Sequence, residues 1–224
     1  MRVLMIAPPG AGKGTQAERI SAHFGVPHIA TGDLLRDHVA RGTDIGVQVG
    51  DYLDEGELVP DEIVLEMAKE AVEQAKRDGG GYVLDGIPRT LTQARALYEL
   101  AVDLDMTAHV ALSLQVEESE LVRRLLARAA AQQRSDDTEK VIRRRLAVFQ
   151  EVTRPIIDWY GERGILVSVD AERPIDDVAR EILTALEVLR SVVDHVPDAA
   201  RSPIDLATLH TAFGAEHRDP APRG

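Results

Sequence analysis

The chain has 224 residues, 44% of them hydrophobic and 29% charged, with a net charge of −12 and no cysteine. That length suits one well-buried α/β domain with a small insertion, and the acidic balance excludes a general binder of nucleic acid or of anionic membranes, which would carry a basic surface. Without cysteine there are no disulfides or thiolate metal sites; with no apolar stretch near the roughly 18 residues of a membrane span and no leader before the first strand, a cytoplasmic protein is expected.

Residues 1–6, MRVLMI, read as a short buried strand. They feed into Ala7-Pro8-Pro9-Gly10-Ala11-Gly12-Lys13-Gly14-Thr15, after which a helix is predicted over 16–24. A strand, a glycine loop and a helix N-terminus in that order make a phosphate cradle. Gly10, Gly12 and Gly14 tolerate unusual dihedrals, so loop N–H groups can turn inward, and the helix adds the positive end of its dipole. Lys13 brings a mobile positive charge for the outer phosphates of a nucleotide, with the Thr15 hydroxyl near any magnesium. Against the general pattern G-x-x-x-x-G-K-[ST], Ala7 replaces the first glycine and Thr15 falls one step late. If position 7 needs a positive φ, alanine costs about 1–2 kcal/mol there; if φ is negative, it costs little.

Gly25 and Pro27 stop the loop helix, and 28–30 is a short second strand. Asp33 is placed to cap a helix over 34–40, with Thr31 a cap residue and Arg36 a solvated charge on pattern alone. A second helix over 43–55 ends at Gly56, an extended step covers 57–60, and a longer helix follows over 61–76. The third strand, Tyr82-Val83-Leu84-Asp85, runs into Gly86-Ile87-Pro88-Arg89, with Gln93 a turn along the next helix. Asp85, at the C-terminal end of a core strand, is placed to order magnesium and its waters, or else to cap the turn.

The fourth strand is predicted over 108–114 and an amphipathic helix over 117–131, with Leu121, Leu125 and Ala129 on one face. Arginines crowd the region from 123 to 154, of which Arg123 and Arg124 read as a solvated helix face. A helix over 139–149 runs on through Arg154 towards Trp159 and Tyr160, which read as core aromatics rather than base-stacking groups. The fifth strand covers 165–169, and the last helix covers 174–189 with Pro174 in its first turn. Five strands separated by helices give a parallel sheet covered on both faces. Residues 191–224, with Pro197, Pro203, Pro220 and Pro222, read as a flexible tail, a segment docking onto a partner being the alternative. The seven histidines show no metal-ligand spacing.

Four motifs carry a resemblance over about residues 1–190: Lys13-Gly14-Thr15-Gln16, Thr31-Gly32-Asp33-Leu34-Leu35-Arg36, Asp85-Gly86-Ile87-Pro88-Arg89, and Arg134-Ser135-Asp136-Asp137 followed by Arg145. Together they resemble the adenylate kinases of the short-lid bacterial type, within the nucleoside monophosphate kinase family. The resemblance implies an α/β fold: a P-loop NTPase core, a five-stranded parallel sheet flanked by helices, a small helical AMP-binding insertion at 31–60 and a short lid at about 128–137. It implies reversible phosphoryl transfer from ATP to AMP giving two ADP, with Mg2+ bound alongside ATP, a monomer, and no zinc in the lid.

The same resemblance assigns residue roles. Gly10, Ala11, Gly12, Lys13, Gly14 and Thr15 would bind ATP, with Arg128 beside them and Arg173 standing where a glycine usually lends backbone to the ATP base. Thr31 and Gln93 would contact the adenine of AMP, in a pocket lined by the backbone of Glu57, Leu58, Val59 and Gly86, while Arg36 and Arg89 would hold its phosphate. Arg134 and Arg145 would reach AMP and the transferring phosphoryl, making Lys13, Arg89, Arg134 and Arg145 the catalytic set, with Thr15 and Asp85 placing magnesium. Four inserted residues between Arg128 and Arg134 imply altered lid closure or ATP affinity, and leave Arg128 open to being a helix-surface charge. The alternatives are a UMP/CMP kinase of the same fold, against which Thr31 and Gln93 argue, and a nucleotide-binding regulator with weakened catalysis.

Overall fold

A computed structural model describes residues 1–132 and 138–195. In chain order the elements are β1 (Arg2–Ile6), α1 (Lys13–Phe24), β2 (His28–Ala30), α2 (Thr31–Ala40), α3 (Asp44–Glu55), α4 (Asp61–Arg77), β3 (Tyr82–Asp85), α5 (Leu91–Asp103), β4 (Val110–Gln115), α6 (Glu118–Gln132), α7 (Glu139–Val148), α8 (Pro155–Glu162), β5 (Leu166–Asp170) and α9 (Ile175–His195). A π-helical turn, Phe149–Thr153, joins α7 to α8.

The five strands form one all-parallel sheet in the order β2-β3-β1-β4-β5. Every residue of β1 is buried, as it must be when helices cover both faces of a parallel sheet. Side chains alternate along the strand, so Val3 and Met5 join one apolar cluster with Leu112, Leu125 and Ile182, while Leu4 and Ile6 join the other with Leu84, Ile87 and Ile156. Strand order turns at β1: β2 and β3 lie on one side of it, β4 and β5 on the other. In open α/β sheets such a switch point, at the carboxyl ends of the strands, is where ligands bind. The register sets Met5 and Ala30 beside Asp85 there.

Sequence expectation and structure differ mainly at element ends. Helix α1 starts at Lys13 instead of 16. Helix α2 starts at Thr31, so Asp33 lies in its first turn and does not cap it; Ala30 occupies the N-cap without a side-chain bond. Thr43 caps α3, its hydroxyl accepting from the Gly46 N–H at 3.1 Å. Helix α9 continues to His195, six residues past the expected end at 189. Residues 196–224, most of the segment expected to be a tail, lie outside the described residues. Trp159 and Tyr160 are buried and meet edge to face at 4.7 Å, as core aromatics do.

The π turn was not foreseen in the pattern. Pro155 has no N–H to offer the carbonyl four residues back, and the chain widens instead, the Arg154 N–H reaching the Phe149 carbonyl at 2.8 Å. Gly46 marks the closest approach of two helices, because a Cβ there would stand 2.1 Å from the His38 carbonyl oxygen of α2. Gly46→Ala is therefore expected to destabilise the protein by about 1–3 kcal/mol, read as a lower urea midpoint of unfolding. Among the described residues no helix is long and apolar enough to cross a membrane.

Candidate active site

The loop after β1 takes the shape its glycines permit. Gly10 and Gly12 both sit at φ +87°, and Gly12 forms the left-handed N-cap of α1. Gly14 departs from expectation: it lies inside the first turn of α1 with ordinary dihedrals, because the helix begins at Lys13. Ala7 is not strained. Among the described residues Asp105 is the one non-glycine residue with positive φ, so Ala7 has negative φ and its buried methyl joins the core. The Ala11 N–H closes a turn onto the Pro8 carbonyl, and Ala11 packs inward, while Gly10, Gly12, Lys13, Gly14 and Thr15 line the cavity.

That cavity holds about 650 Å3, a size common for small-molecule sites. At its floor Lys13 Nζ meets Asp85 Oδ1 at 2.6 Å, and His28 Nε2 approaches Asp85 Oδ2 at 3.5 Å. Burial by itself would raise the Asp85 carboxyl, but the Lys13 charge, helped by His28, overrides it and holds the group well below the usual carboxylate range. A group whose folded pKa is depressed adds stability above its unfolded pKa of about 4 and loses it as pH falls towards the folded value. The stability advantage of the wild type over Asp85→Asn is thus expected to shrink steadily as pH drops from about 5 to 2, measured by urea unfolding at each pH.

A cluster of guanidinium groups lines the same cavity. Arg36 comes from α2, Arg89 from the segment before α5 and Arg145 from α7. Arg36 and Arg89 converge over Gly32: a Cβ there would stand 3.5 Å from Arg36 Nη2 and 3.7 Å from Arg89 Nη2. Arg36 also pairs with Asp33, and Arg145 Nη2 reaches the Leu53 carbonyl at 3.4 Å. Arg89 is held at three points. Its Nε donates to the Gly86 carbonyl at 2.7 Å, its backbone N–H donates to Gln93 Oε1 at 2.6 Å, and its carbonyl accepts from the Thr153 hydroxyl at 3.0 Å. Burial depresses its pKa, Asp85 pulls it back up, and the Arg145 and Arg36 charges push it down again. Arginine stays charged through such shifts, so the cluster is a concentration of like charge suited to an anion.

Thr31, Glu57, Leu58, Val59, Gly86 and Gln93 also line the cavity, with Thr31 and Gln93 almost wholly buried. The Thr31 hydroxyl donates to the Asp85 carbonyl at 3.3 Å. Glu57 is tied to α7 by an ion pair with Arg144 at 2.7 Å.

Helix α6 corrects one expectation. Arg123 is exposed on Glu120 as a solvated face requires, but Arg124 is half-buried, donates to Glu120 and to the Ala171 carbonyl, and lines the cavity with Arg128. The signal was the spacing, since residues four apart share a helix face. Arg173 is bound to Asp170 and Glu181 and does not line the cavity; its neighbour Ile175 does. Arg134 lies outside the described residues, as does half of the stretch expected to form the lid, residues 133–137.

A parallel sheet with a glycine loop at its switch point, a lysine at the loop's end and an arginine cluster in the same cavity define a P-loop phosphotransferase. Residues 5–165 match the family model described as "Adenylate kinase". Proteins named adenylate kinase are similar throughout: that of Thermobifida fusca is 44% identical over 84% of this chain and 98% of its own length, and that of Thermus thermophilus is 45% identical over 83% and 97%. That of Synechococcus sp. is 45% identical over 84% of this chain and 97% of its own. The chain belongs to the adenylate kinase family.

Proposed function

We propose that the protein transfers the γ-phosphoryl of ATP reversibly to AMP, giving two ADP. One observation carries this reading: a single cavity is lined both by the phosphate loop with Lys13 and by the convergent Arg36, Arg89 and Arg145. Such a cavity suits two phosphorylated ligands brought together, and phosphoryl transfer asks little else of a protein beyond alignment and charge neutralisation.

In this reading the loop amides and Lys13 hold the donor phosphates, with Arg124 and Arg128 serving the ATP side. Arg36 and Arg89 grip the acceptor phosphate, for which their planar forks are shaped. Arg145, together with Arg134, neutralises charge as it develops between donor and acceptor. No general base is required, because the attacking AMP oxygen is already ionised. Thr31, Gln93 and the backbone at 57–59 and Gly86 frame the adenine, so that 31–60 acts as the AMP-binding portion and 128–137 as the lid. Closure over both substrates excludes water, a competing acceptor.

The residues also suit magnesium. Asp85 Oδ2 lies 3.9 Å from where a Gly14 Cβ would be, which places an ionised carboxylate against the loop, and the Thr15 hydroxyl shares the cavity. These are hard oxygen donors. Asp85 Oδ1 is already engaged by Lys13, and His28 stands 3.5 Å from Oδ2, so Asp85 and Thr15 would hold Mg2+ through water. Bound with ATP, the ion would offset charge on the phosphate oxygens.

The test is to supply magnesium and ATP with each of AMP, CMP, UMP and GMP and measure diphosphate formation. Rapid ADP formation with AMP as the one good acceptor is the expected result. Turnover of CMP and UMP instead would make the protein a pyrimidine nucleotide kinase, and binding without turnover would make it a regulator.

A further inference from the structure

Asp61, the first residue of α4, belongs to none of the motifs above, yet it reaches the wall of the cavity. Its carboxylate accepts two hydrogen bonds from the start of α5, Oδ1 from Gln93 Nε2 at 2.7 Å and Oδ2 from the Thr90 hydroxyl at 3.1 Å. Gln93 is 1% exposed and lines the cavity, and its Oε1 accepts from the Arg89 N–H at 2.6 Å. These two contacts admit one orientation of the Gln93 amide. Turned over, it would set its NH2 against the Arg89 N–H and its oxygen against the Asp61 carboxylate.

We infer that Asp61 is a positioning residue that fixes the polarity with which Gln93 meets the acceptor base, and thereby selects adenine over guanine and uracil. The inference rests on the proposed reading of Gln93 as a base contact. An amide nitrogen carries two hydrogens and an amide oxygen two lone pairs. After the contacts to Asp61 and Arg89, Gln93 retains one N–H and one lone pair for a ligand. The adenine edge offers the complement, the N1 acceptor beside the 6-amino donor. Guanine and uracil offer the reverse, a ring N–H beside a carbonyl, so donor faces donor and acceptor faces acceptor. An untethered glutamine would answer by turning over; here that turn breaks two partly buried hydrogen bonds and leaves their partners unmatched. Cytosine shares adenine's polarity, so its exclusion falls to the size of the pocket and not to Asp61.

Asp61 also stands at the N-terminus of α4, where any acidic residue favours the helix dipole. That role concerns stability and is indifferent to the base, so the readout is a ratio. With the full chain and magnesium-ATP, kcat/KM is measured for AMP and for GMP in the wild type, Asp61→Ala, Asp61→Asn and Gln93→Leu. Asp61→Ala is expected to narrow the AMP-to-GMP ratio by about tenfold or more with KM for ATP unchanged. Asp61→Asn keeps an oxygen for Gln93 and turns its NH2 to the Thr90 hydroxyl, and is expected to retain most of the ratio. Should Asp61→Ala fail to fold, Asp61→Ser keeps a polar first turn without the reach to Gln93 and reads the same quantity. An equal fall for AMP and GMP in these variants, with Gln93→Leu narrowing the ratio, overturns the inference alone. An unchanged ratio in Gln93→Leu overturns the reading of Gln93 itself, and the inference with it.

Discussion

Lys13→Ala is expected to lower kcat at saturating ATP and AMP by about a thousandfold or more. Lys13 is half-buried at the N-terminus of α1, and it is the cation that the loop itself brings to the cavity. Removing one preorganised electrostatic contact to the reacting group costs about 10²–10³ in rate in other enzymes, and here the contact carries a full charge. The same substitution leaves the buried Asp85 carboxylate without its closest cation, which costs about 3 kcal/mol of stability. The two effects separate in the double variant Lys13→Ala/Asp85→Asn, which regains stability in urea and stays inactive. Full activity in the single variant would remove Lys13 from the mechanism.

Arg89→Ala is expected to lower kcat/KM for AMP by about a thousandfold while changing KM for ATP far less. The backbone on both sides of Arg89 is pinned, by Gln93 and by Thr153, and its Nε is anchored on Gly86, so the guanidinium is oriented before any ligand arrives. Preorganisation of that kind means that little side-chain entropy is lost on binding, and the charge-assisted bonds to a phosphate are correspondingly strong. Arg89→Lys should recover little, because an ammonium cannot reproduce a bidentate fork and has no Nε to anchor on Gly86. Initial rates with AMP varied at saturating ATP, and the converse, decide the matter; equal losses on both axes would show a general disturbance of the site.

Both expectations depend on contacts that unite distant stretches of chain, and this divides what was legible in the sequence from what was not. The phosphate loop was legible because its physics is local. A strand, a run of glycines and a helix start lie consecutively, and glycine permits the positive φ found at Gly10 and Gly12. Strand cores were found within a residue or two for the same reason. Helix ends were less certain: α1 and α2 both begin three residues early because backbone groups already in helical register recruit the loop, with no side-chain cap to mark the spot. The π turn left no signal beyond Pro155, since its widening also depends on what packs around Phe149 and Thr153.

By itself the sequence determined the five-stranded parallel architecture and the phosphate loop, and its motifs carried the resemblance that implied the family and most of the residues that gather in the cavity. The first two rest on periodicity and on neighbours within a few positions, where chain connectivity does the work; the residue roles rest on the resemblance. The tertiary structure alone decided that Lys13 rests on Asp85, that Arg124 faces the cavity while Arg123 faces water, that Arg173 turns to Glu181, and that Asp61 orients Gln93. Periodicity reports that a helix has two faces; the docking of that helix on the sheet decides which arginine each face presents, and only then can buried polar groups far apart in the chain satisfy one another.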